Sequence, residues 1–163
     1  MLLFFIAQMA AWADPCDAKN VNTVTMNYTV YMCNKDIKKE VEIAKNWWNS
    51  KGASIEIAPG VYDCSSDPGD SEIHIKFNNR KVKEYDTPSS TASGVTIRRH
   101  ASTPGTTVRL SKIYLSTKLI DNKSKLQTFI VHEMGHAIGY SHVPESCQGY
   151  IMNPYLEGMG NKI

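Results

Sequence analysis

Three histidines and a glutamate near the C-terminal end of the chain have the spacing of a catalytic metal site. Residues 132–142 read His-Glu-Met-Gly-His-Ala-Ile-Gly-Tyr-Ser-His. On a helix, His132 and His136 are four residues apart and lie on one face, where both imidazoles can bind one ion. Gly139 can adopt the left-handed conformation that ends a helix, so that His142 returns as a third ligand. Three protein ligands leave one position open for water, which is typical of catalytic zinc.

Glu133 is the candidate general base. It lies about 100° round the helix from His132, close enough for its carboxylate to reach a water molecule on the ion. It would take the proton of that water as a general base. The alternative is a core helix that carries histidines by chance. Requiring Gly139 and His142 as well lowers a chance match to the order of 1 in 10⁵.

This pattern resembles the zinc signature of the metzincin metalloproteases. Residues 151–154, Ile-Met-Asn-Pro, resemble the matrixin form of the methionine turn (Met-turn) that lies beneath the metal in that family. The resemblance implies an enzyme, a zinc endopeptidase, with Met152 as the hydrophobic floor under His132, His136 and His142. It also implies an α+β fold of the zincin type, in which a mixed twisted sheet has a backing helix, an active-site helix and a short C-terminal Met-turn segment. The sequence departs from named subfamilies at Val143, so no subfamily is assigned.

Hydrophobic periodicity and turn residues predict the elements around this motif. Residues 78–93 read as a polar loop and Pro104-Gly105 as a turn. The resemblance implies that Gly94–His100 is the edge strand above the metal, along which a polypeptide substrate would bind in extended form. The first predicted helix is capped by Asn34 and runs to about Lys51, with a core stripe at Ile37, Val41, Ala44 and Trp48. The other predicted elements, in chain order, are a strand within Thr23–Met32, strands at Ser54–Ile57, Ile73–Phe77, Gly94–His100 and within Thr107–Leu115, and the active-site helix from about Ser124, which should bury Leu126, Phe129, Ile130 and Ile138.

Composition limits the classes of partner. The chain has 163 residues, which suits one domain, and a net charge of +2 with 21% charged residues gives no electrostatic case for nucleic acid. No apolar run approaches the roughly 20 residues needed to span a bilayer. We therefore expect a monomeric protein that binds neither nucleic acid nor membrane.

The first thirteen residues, 1–13, have the features of a secretory signal peptide. Leu2–Ala7 is apolar, and Ala11-Trp12-Ala13 fits a small-x-small cleavage site. A buried N-terminal strand is the alternative interpretation. The prediction is a signal peptide followed by one catalytic domain at 14–163, in a protein that is secreted to the extracellular space.

The cysteines agree with secretion. An even set in a small exported chain predicts two disulfides, with three possible pairings among Cys16, Cys33, Cys64 and Cys147. A second hypothesis is that a free Cys16, or Asp14 or Asp17 beside it, blocks the zinc, as a propeptide cysteine does in matrixins.

Two further groups have competing interpretations. The carboxylates around Pro68-Gly69 could bind calcium, as some matrixins do, although turn chemistry also explains them; they belong to Asp63, Asp67, Asp70 and Glu72. His74 and His100 lie in strand-like runs without a ligand-spaced partner and are predicted to be ordinary sheet residues.

Two other functions compete with the protease. One is a secreted zinc-binding interaction module without catalysis, against which Glu133 argues, because a binder has no need of a general base there. The other is a disulfide-stabilised structural protein without metal, which an analysis of zinc content would reveal.

Overall fold

The computed structural model describes residues 15–22, 26–86, 92–100 and 108–155. The predicted signal peptide, Asp14 and the Pro104-Gly105 turn lie outside these residues. The helices and strands, in chain order, are β1 (Asn27–Met32), a 3-10 turn (Lys35–Ile37), α1 (Lys38–Asn49), β2 (Ser54–Ile57), β3 (Glu72–Phe77), α2 (Asn79–Lys83), β4 (Gly94–His100), β5 (Val108–Leu115), a second 3-10 turn (Thr117–Leu119) and α3 (Lys123–Ala137).

The strands form one mixed sheet in the order β2-β1-β3-β5-β4. All neighbouring pairs are parallel except β4 and β5, which are antiparallel, with Gly94 opposite Leu115. This is the predicted α+β architecture. Strand β4 is an edge strand, as predicted for the strand above the metal, and the bounds of β2 and β4 match the prediction.

Two predictions from local sequence were wrong, each because a side chain has a different partner. Asn34 does not cap the predicted helix: its Oδ1 accepts a hydrogen bond from Phe77 N at 3.2 Å, and α1 starts after a 3-10 turn. The predicted loop at 78–93 contains the short helix α2, because the side chain of Asn78 accepts from Lys81 N at 3.1 Å and caps its first turn.

The core lies between the sheet and the two long helices. The predicted core stripe is fully buried: Val41, Ala44 and Trp48 belong to α1, and Ile37 belongs to the 3-10 turn before it. The indole Nε1 of Trp48 donates a hydrogen bond to the carbonyl oxygen of Val131 at 2.7 Å, which satisfies a buried donor and fixes α1 against α3. Full burial of such apolar side chains stabilises the fold by about 1.5–3 kcal/mol each.

Two disulfides complete the fold. Cys33 is bonded to Cys64, and Cys16 is bonded to Cys147, which lies between the third histidine and the Met-turn. The hypothesis that a free Cys16 blocks zinc is therefore wrong, because its sulfur is already bonded. In the part of the chain that the structure describes, no helix has both the length and the apolarity required to cross a membrane.

Candidate metal centre and active-site cleft

Helix α3 presents the first two histidines of the motif. Asn122 caps its first turn, and the Asn122 side chain accepts a hydrogen bond from Lys125 N at 3.0 Å. The helix ends at Ala137. Gly139 follows it with φ +108°, and the N–H of Tyr140 closes the turn on the carbonyl oxygen of Gly135. A Cβ at Gly139 would lie 2.5 Å from Asn20 Oδ1, so both the backbone conformation and the close approach require glycine. The chain can then reverse direction toward His142.

The three histidines converge on one point. The Nε2 atom of His136 lies 3.1 Å from that of His132 and 3.0 Å from that of His142, and the remaining Nε2 pair is 3.2 Å apart. Among the described residues, they form the one group of three or more potential ligand side chains whose donor atoms come this close. Zn–N bonds of about 2.0–2.1 Å in tetrahedral geometry separate such nitrogens by about 3.3–3.4 Å. The donor set therefore fits a zinc ion.

Backbone carbonyls orient two of these imidazoles. Nδ1 of His132 lies 2.7 Å from the carbonyl oxygen of Ile151, and Nδ1 of His136 lies 2.9 Å from that of Tyr140. Because a carbonyl can only accept, each Nδ1 carries the proton and each Nε2 lone pair faces the centre of the group. Lone pairs converging in this way repel one another unless a cation lies between them, which again fits a metal.

Burial keeps these ligands neutral. It lowers the pKa of His132 to about 4, and together with the neighbouring His132 it lowers the pKa of His136 to about 3. Burial also lowers the pKa of His142, and the positive charge of Arg98 acts in the same direction. At neutral pH all three imidazoles therefore have free lone pairs for a metal.

The Met-turn packs directly beneath α3. Met152 is fully buried. A Cβ at Gly135 would lie 2.5 Å from Met152 Sδ and 2.4 Å from the Trp48 ring, so the helix can approach this floor only at a glycine. The resemblance had implied this position for Met152 but gave no role to Gly135.

Asn153 holds the turn together and was not predicted. Its side-chain nitrogen donates to the carbonyl oxygens of Glu145 at 3.1 Å and Cys147 at 2.9 Å, and its side chain is buried. The N–H of Val143 also bonds the carbonyl oxygen of Met152 at 3.0 Å. The one sequence signal for this role was a polar residue within an otherwise apolar segment.

Glu133 lies beside the histidines, at the bottom of the cleft. It is 5% exposed, and burial raises the pKa of its carboxyl to about 7, although a hydrogen bond from Thr96 acts in the opposite direction. Oγ1 of Thr96 lies 2.6 Å from Glu133 Oε2. A Cβ at Gly94 would come within 2.9 Å of Glu133 Oε1, so the small residue at 94 makes room for the carboxylate. The sequence analysis did not identify Thr96 or Gly94, which both lie on β4, as neighbours of Glu133.

The cleft runs between α3 and the free edge of β4. It has a volume of about 560 Å³, and its lining includes the motif histidines, Glu133, Arg98 and Phe129. Phe129 was predicted to be core but is only partly buried, because it faces this cleft. The three other residues predicted to be buried on this helix and its end are buried, namely Leu126, Ile130 and Ile138.

In the part of the chain that the structure describes, β4 has no neighbouring strand on the side away from β5. The N–H of Ser116 bonds the carbonyl oxygen of Ser93 at 2.9 Å, and opposite residues in β4 and β5 continue this register. In an antiparallel pair, hydrogen-bonded and non-hydrogen-bonded positions alternate. The backbone N–H and C=O groups of Gly94, Thr96 and Arg98 therefore point away from β5, along the open edge of the sheet.

The other candidates from the sequence do not join this site. His74 is a sheet residue, as predicted, and it is buried. Its Nε2 lies 3.6 Å from Glu72, and its Nδ1 has no hydrogen-bond partner among the described residues. Asp67 pairs with Lys112 and Arg99, and the Glu72 carboxylate accepts from Gly69 N at 2.7 Å. The carboxylate of Asp63 accepts a hydrogen bond from Ser65 N at 3.1 Å. Calcium binding at these residues stays an untested prediction. The side chain of His100 lies outside the described residues.

The comparison with curated proteins finds no match to this chain. The sequence model of one family, Matrixin, matches residues 16–163. That range includes the described part of the sheet, the three-histidine group and the Met-turn. The matched range, the mixed sheet and the converging histidines agree with one another, and the chain belongs to the matrixin family of zinc metallopeptidases.

Proposed function

We propose that this protein is a secreted zinc endopeptidase in which His132, His136 and His142 hold the metal and Glu133 is the general base. The observation that carries the proposal is the position of Glu133. Its buried carboxylate lines the same cleft as the three imidazoles, on the helix that carries two of them. A site that only held zinc would gain nothing from the cost of burying a carboxylate there.

The mechanism follows from that arrangement. The imidazoles of His132, His136 and His142 would hold a zinc ion, and that ion would supply the Lewis acidity that activates water and polarises a peptide carbonyl. Glu133 accepts the proton of the attacking water and passes it to the amine nitrogen as the C–N bond breaks. Burial raises the pKa of Glu133 to about 7, so its carboxyl group can accept and release a proton near neutral pH. The Thr96 hydroxyl, 2.6 Å away, orients Oε2 during both transfers.

The substrate is a polypeptide bound in extended form along β4. The free N–H and C=O groups of Gly94, Thr96 and Arg98 can pair with the main chain of a peptide, as a further strand of the sheet. Main-chain pairing holds polypeptides of any sequence. Side-chain preference must therefore come from the residues that line the cleft.

Secretion is supported by the two disulfides. Disulfides form and persist in oxidising compartments, and both bonds here connect segments distant in sequence. The predicted signal peptide at 1–13 and the generally extracellular location of matrixins support the same proposal.

The test combines hydrolysis and metal content on one sample. The secreted chain is incubated with a library of quenched fluorescent peptides, and zinc is measured by elemental analysis. We expect one zinc per chain and cleavage that stops with a chelator. Glu133→Gln keeps the size of the side chain and should retain zinc, but should lower kcat by about 10²- to 10⁴-fold.

Two outcomes would contradict the proposal. Full activity in Glu133→Gln would remove the general-base role. One bound zinc without cleavage of any library peptide by the wild-type chain would favour the alternative, a zinc-binding interaction module.

A further inference from the structure

Arg98 is a cleft residue that peptide hydrolysis does not require. Side chains at alternate positions of a strand share one face, and Gly94, Thr96 and Arg98 all line the cavity of the metal group. The next residue, Arg99, lies on the opposite face, where it is exposed and 3.6 Å from Asp67. The two neighbouring arginines therefore have different surroundings, and only Arg98 lines the cleft.

The contacts of Arg98 fix its position but leave most of its donors free. Nη1 makes long hydrogen bonds to the carbonyl oxygens of His136, at 3.3 Å, and Tyr140, at 3.5 Å. A guanidinium has five N–H donors in a planar fork. Among the described residues no carboxylate lies within ion-pair distance of Arg98, whereas Arg99 has Asp67. One nitrogen thus holds the fork at the end of α3, and its other nitrogens have no hydrogen-bond partner among the described residues.

Arg98 carries a charge that no carboxylate of the described residues pairs with, at a defined end of the cleft. It is half-buried, so its charge is partly deprived of water. Phe129 lies about two turns earlier on α3 than His136, roughly 10 Å along the axis. The cleft therefore has an apolar end at Phe129 and a cationic end at Arg98.

We propose that Arg98 is a specificity-determining residue that binds a carboxylate of the peptide substrate. The carboxylate belongs either to an aspartate or glutamate side chain or to the C-terminal end of the peptide. A guanidinium fork matches a carboxylate in two parallel hydrogen bonds, and such pairs are strongest where water is partly excluded. The inference rests on the proposed peptidase function, since it names the substrate that the same cleft prefers.

The first experiment varies the substrate. Quenched peptides carry glutamate or glutamine in turn at each position on both sides of the cleaved bond, and each peptide is made with a free and an amidated C-terminus. We expect one glutamate position, or the free C-terminus, to raise kcat/KM by about tenfold to a hundredfold over its neutral counterpart. A preference at an internal position identifies a side chain, and one for the free terminus identifies the chain end. Equal kcat/KM for all acidic and neutral pairs would overturn the proposal.

The second experiment varies the arginine. Arg98→Gln should bring the ratio of kcat/KM for acidic and neutral peptides close to one, and Arg98→Lys should retain part of it, because the charge remains without the fork. Arg99→Gln is the matched control and should keep the wild-type ratio. A purely structural role at the end of α3 would lower activity on both peptides equally, and zinc content with it, while leaving the ratio unchanged. An unchanged ratio in Arg98→Gln would overturn the proposal.

Two further measurements test the role of Arg98 even if the wild-type chain cleaves no peptide or if Arg98→Gln does not fold. Peptide binding can be measured without cleavage in Glu133→Gln. Fluorescence anisotropy should show that this variant binds the acidic peptide more tightly than its neutral counterpart. That preference would hold even if the wild-type chain cleaved nothing, whereas equal affinities would overturn the role of Arg98. If Arg98→Gln does not fold, the wild-type preference should still weaken as salt is raised, and a salt-independent preference would count against a charge pair.

Discussion

Oγ1 of Thr96 lies 2.6 Å from Oε2 of Glu133 and 2.9 Å from the backbone oxygen of the same residue. One hydroxyl on the edge strand therefore contacts both the carboxylate and the backbone of the active-site helix. The strand that has free backbone groups for a substrate also holds the proposed general base in place. Binding along β4 and proton transfer at Glu133 should thus depend on the same contact.

Thr96→Val keeps the shape of the side chain and removes this hydroxyl. A hydrogen bond to a charged group contributes about 1.5–3 kcal/mol, so kcat should fall by about tenfold or more while zinc content is unchanged. Steady-state kinetics on one quenched peptide measure the effect. Thr128→Val is the control, because the Thr128 hydroxyl bonds the carbonyl oxygen of Ser124 within α3. If both variants have the same kcat, the contact does not orient Glu133.

Gly135→Ala should destabilise the fold although alanine is the better helix former. The added Cβ would lie 2.4 Å from the Trp48 ring and 2.5 Å from Met152 Sδ. Overpacking of this kind costs about 1–3 kcal/mol, more than the roughly 1 kcal/mol that alanine gains over glycine in a helix. Chemical denaturation measures the free energy of unfolding, and Lys125→Ala reports helix propensity at an exposed site of α3. A Gly135→Ala protein as stable as the wild type would mean that the Met-turn can move away.

Removal of zinc should lower the melting temperature reversibly. A ligand at a hundred times its dissociation constant stabilises the native state by about 2.7 kcal/mol, which corresponds to a shift of about 5–10 °C for a domain of this size. Thermal unfolding with a chelator, and again after added zinc, measures the shift. His142→Ala removes one of three ligands and should melt near the chelated temperature whether or not zinc is added. If the melting temperature of the wild-type chain does not change when zinc is removed or added, there is no zinc site at these histidines.

The two disulfides should differ in their effect on the metal site. In the chain-entropy estimate, the bond from Cys16 to Cys147, 131 residues apart, contributes about 5 kcal/mol, and the bond from Cys33 to Cys64, 31 residues apart, about 4 kcal/mol. Only the first constrains the segment between His142 and Met152. Paired serine variants at Cys16 and Cys147 should therefore lose zinc affinity as well as stability. Serine variants at Cys33 and Cys64 should lose stability with little change in zinc affinity, and equal losses of affinity would contradict this assignment.

The metal ligands could be predicted because the information is local. His132 and His136 share a helix face by spacing alone, and Gly139 marks where that helix must end. The strand Gly94–His100 could be predicted from its composition for the same reason. In each case a few neighbouring residues determine the conformation.

The contacts that complete the site could not be predicted because they join distant parts of the chain. Thr96 meets Glu133 across 37 positions, and nothing near threonine 96 in the sequence marks it as the partner of a carboxylate. Asn34 shows the converse: it has the local features of a helix cap, yet its side chain bonds Phe77, 43 residues away. A side chain can form a hydrogen bond either to a nearby backbone group or to a residue distant in sequence. The sequence alone does not show which of the two forms.

Because of His74, the free energy of unfolding should fall in mild acid. Burial lowers the pKa of this imidazole, and the positive charges of Lys112 and Lys76 act in the same direction, while Glu72, 3.6 Å from Nε2, opposes them. Asp67, which pairs with Lys112, also interacts electrostatically with His74. The unfolded chain, with an ordinary histidine pKa near 6.5, therefore takes up the proton at a higher pH than the folded protein.

The sign of the effect follows from that order. Between the unfolded pKa near 6.5 and the lower folded pKa of His74, the unfolded state binds more protons, so the free energy of unfolding falls as pH falls through this window. Below the folded pKa the contribution becomes constant. His74→Phe fills the same space beside Tyr31 without a titrating group, and Nδ1 has no hydrogen-bond partner to lose. Urea denaturation of both proteins at a series of pH values gives the difference in stability. As pH falls below about 6.5, the free energy of unfolding of the wild type should fall relative to that of His74→Phe. A difference that stays constant from neutral pH into this acidic range would show that His74 titrates normally in the folded protein.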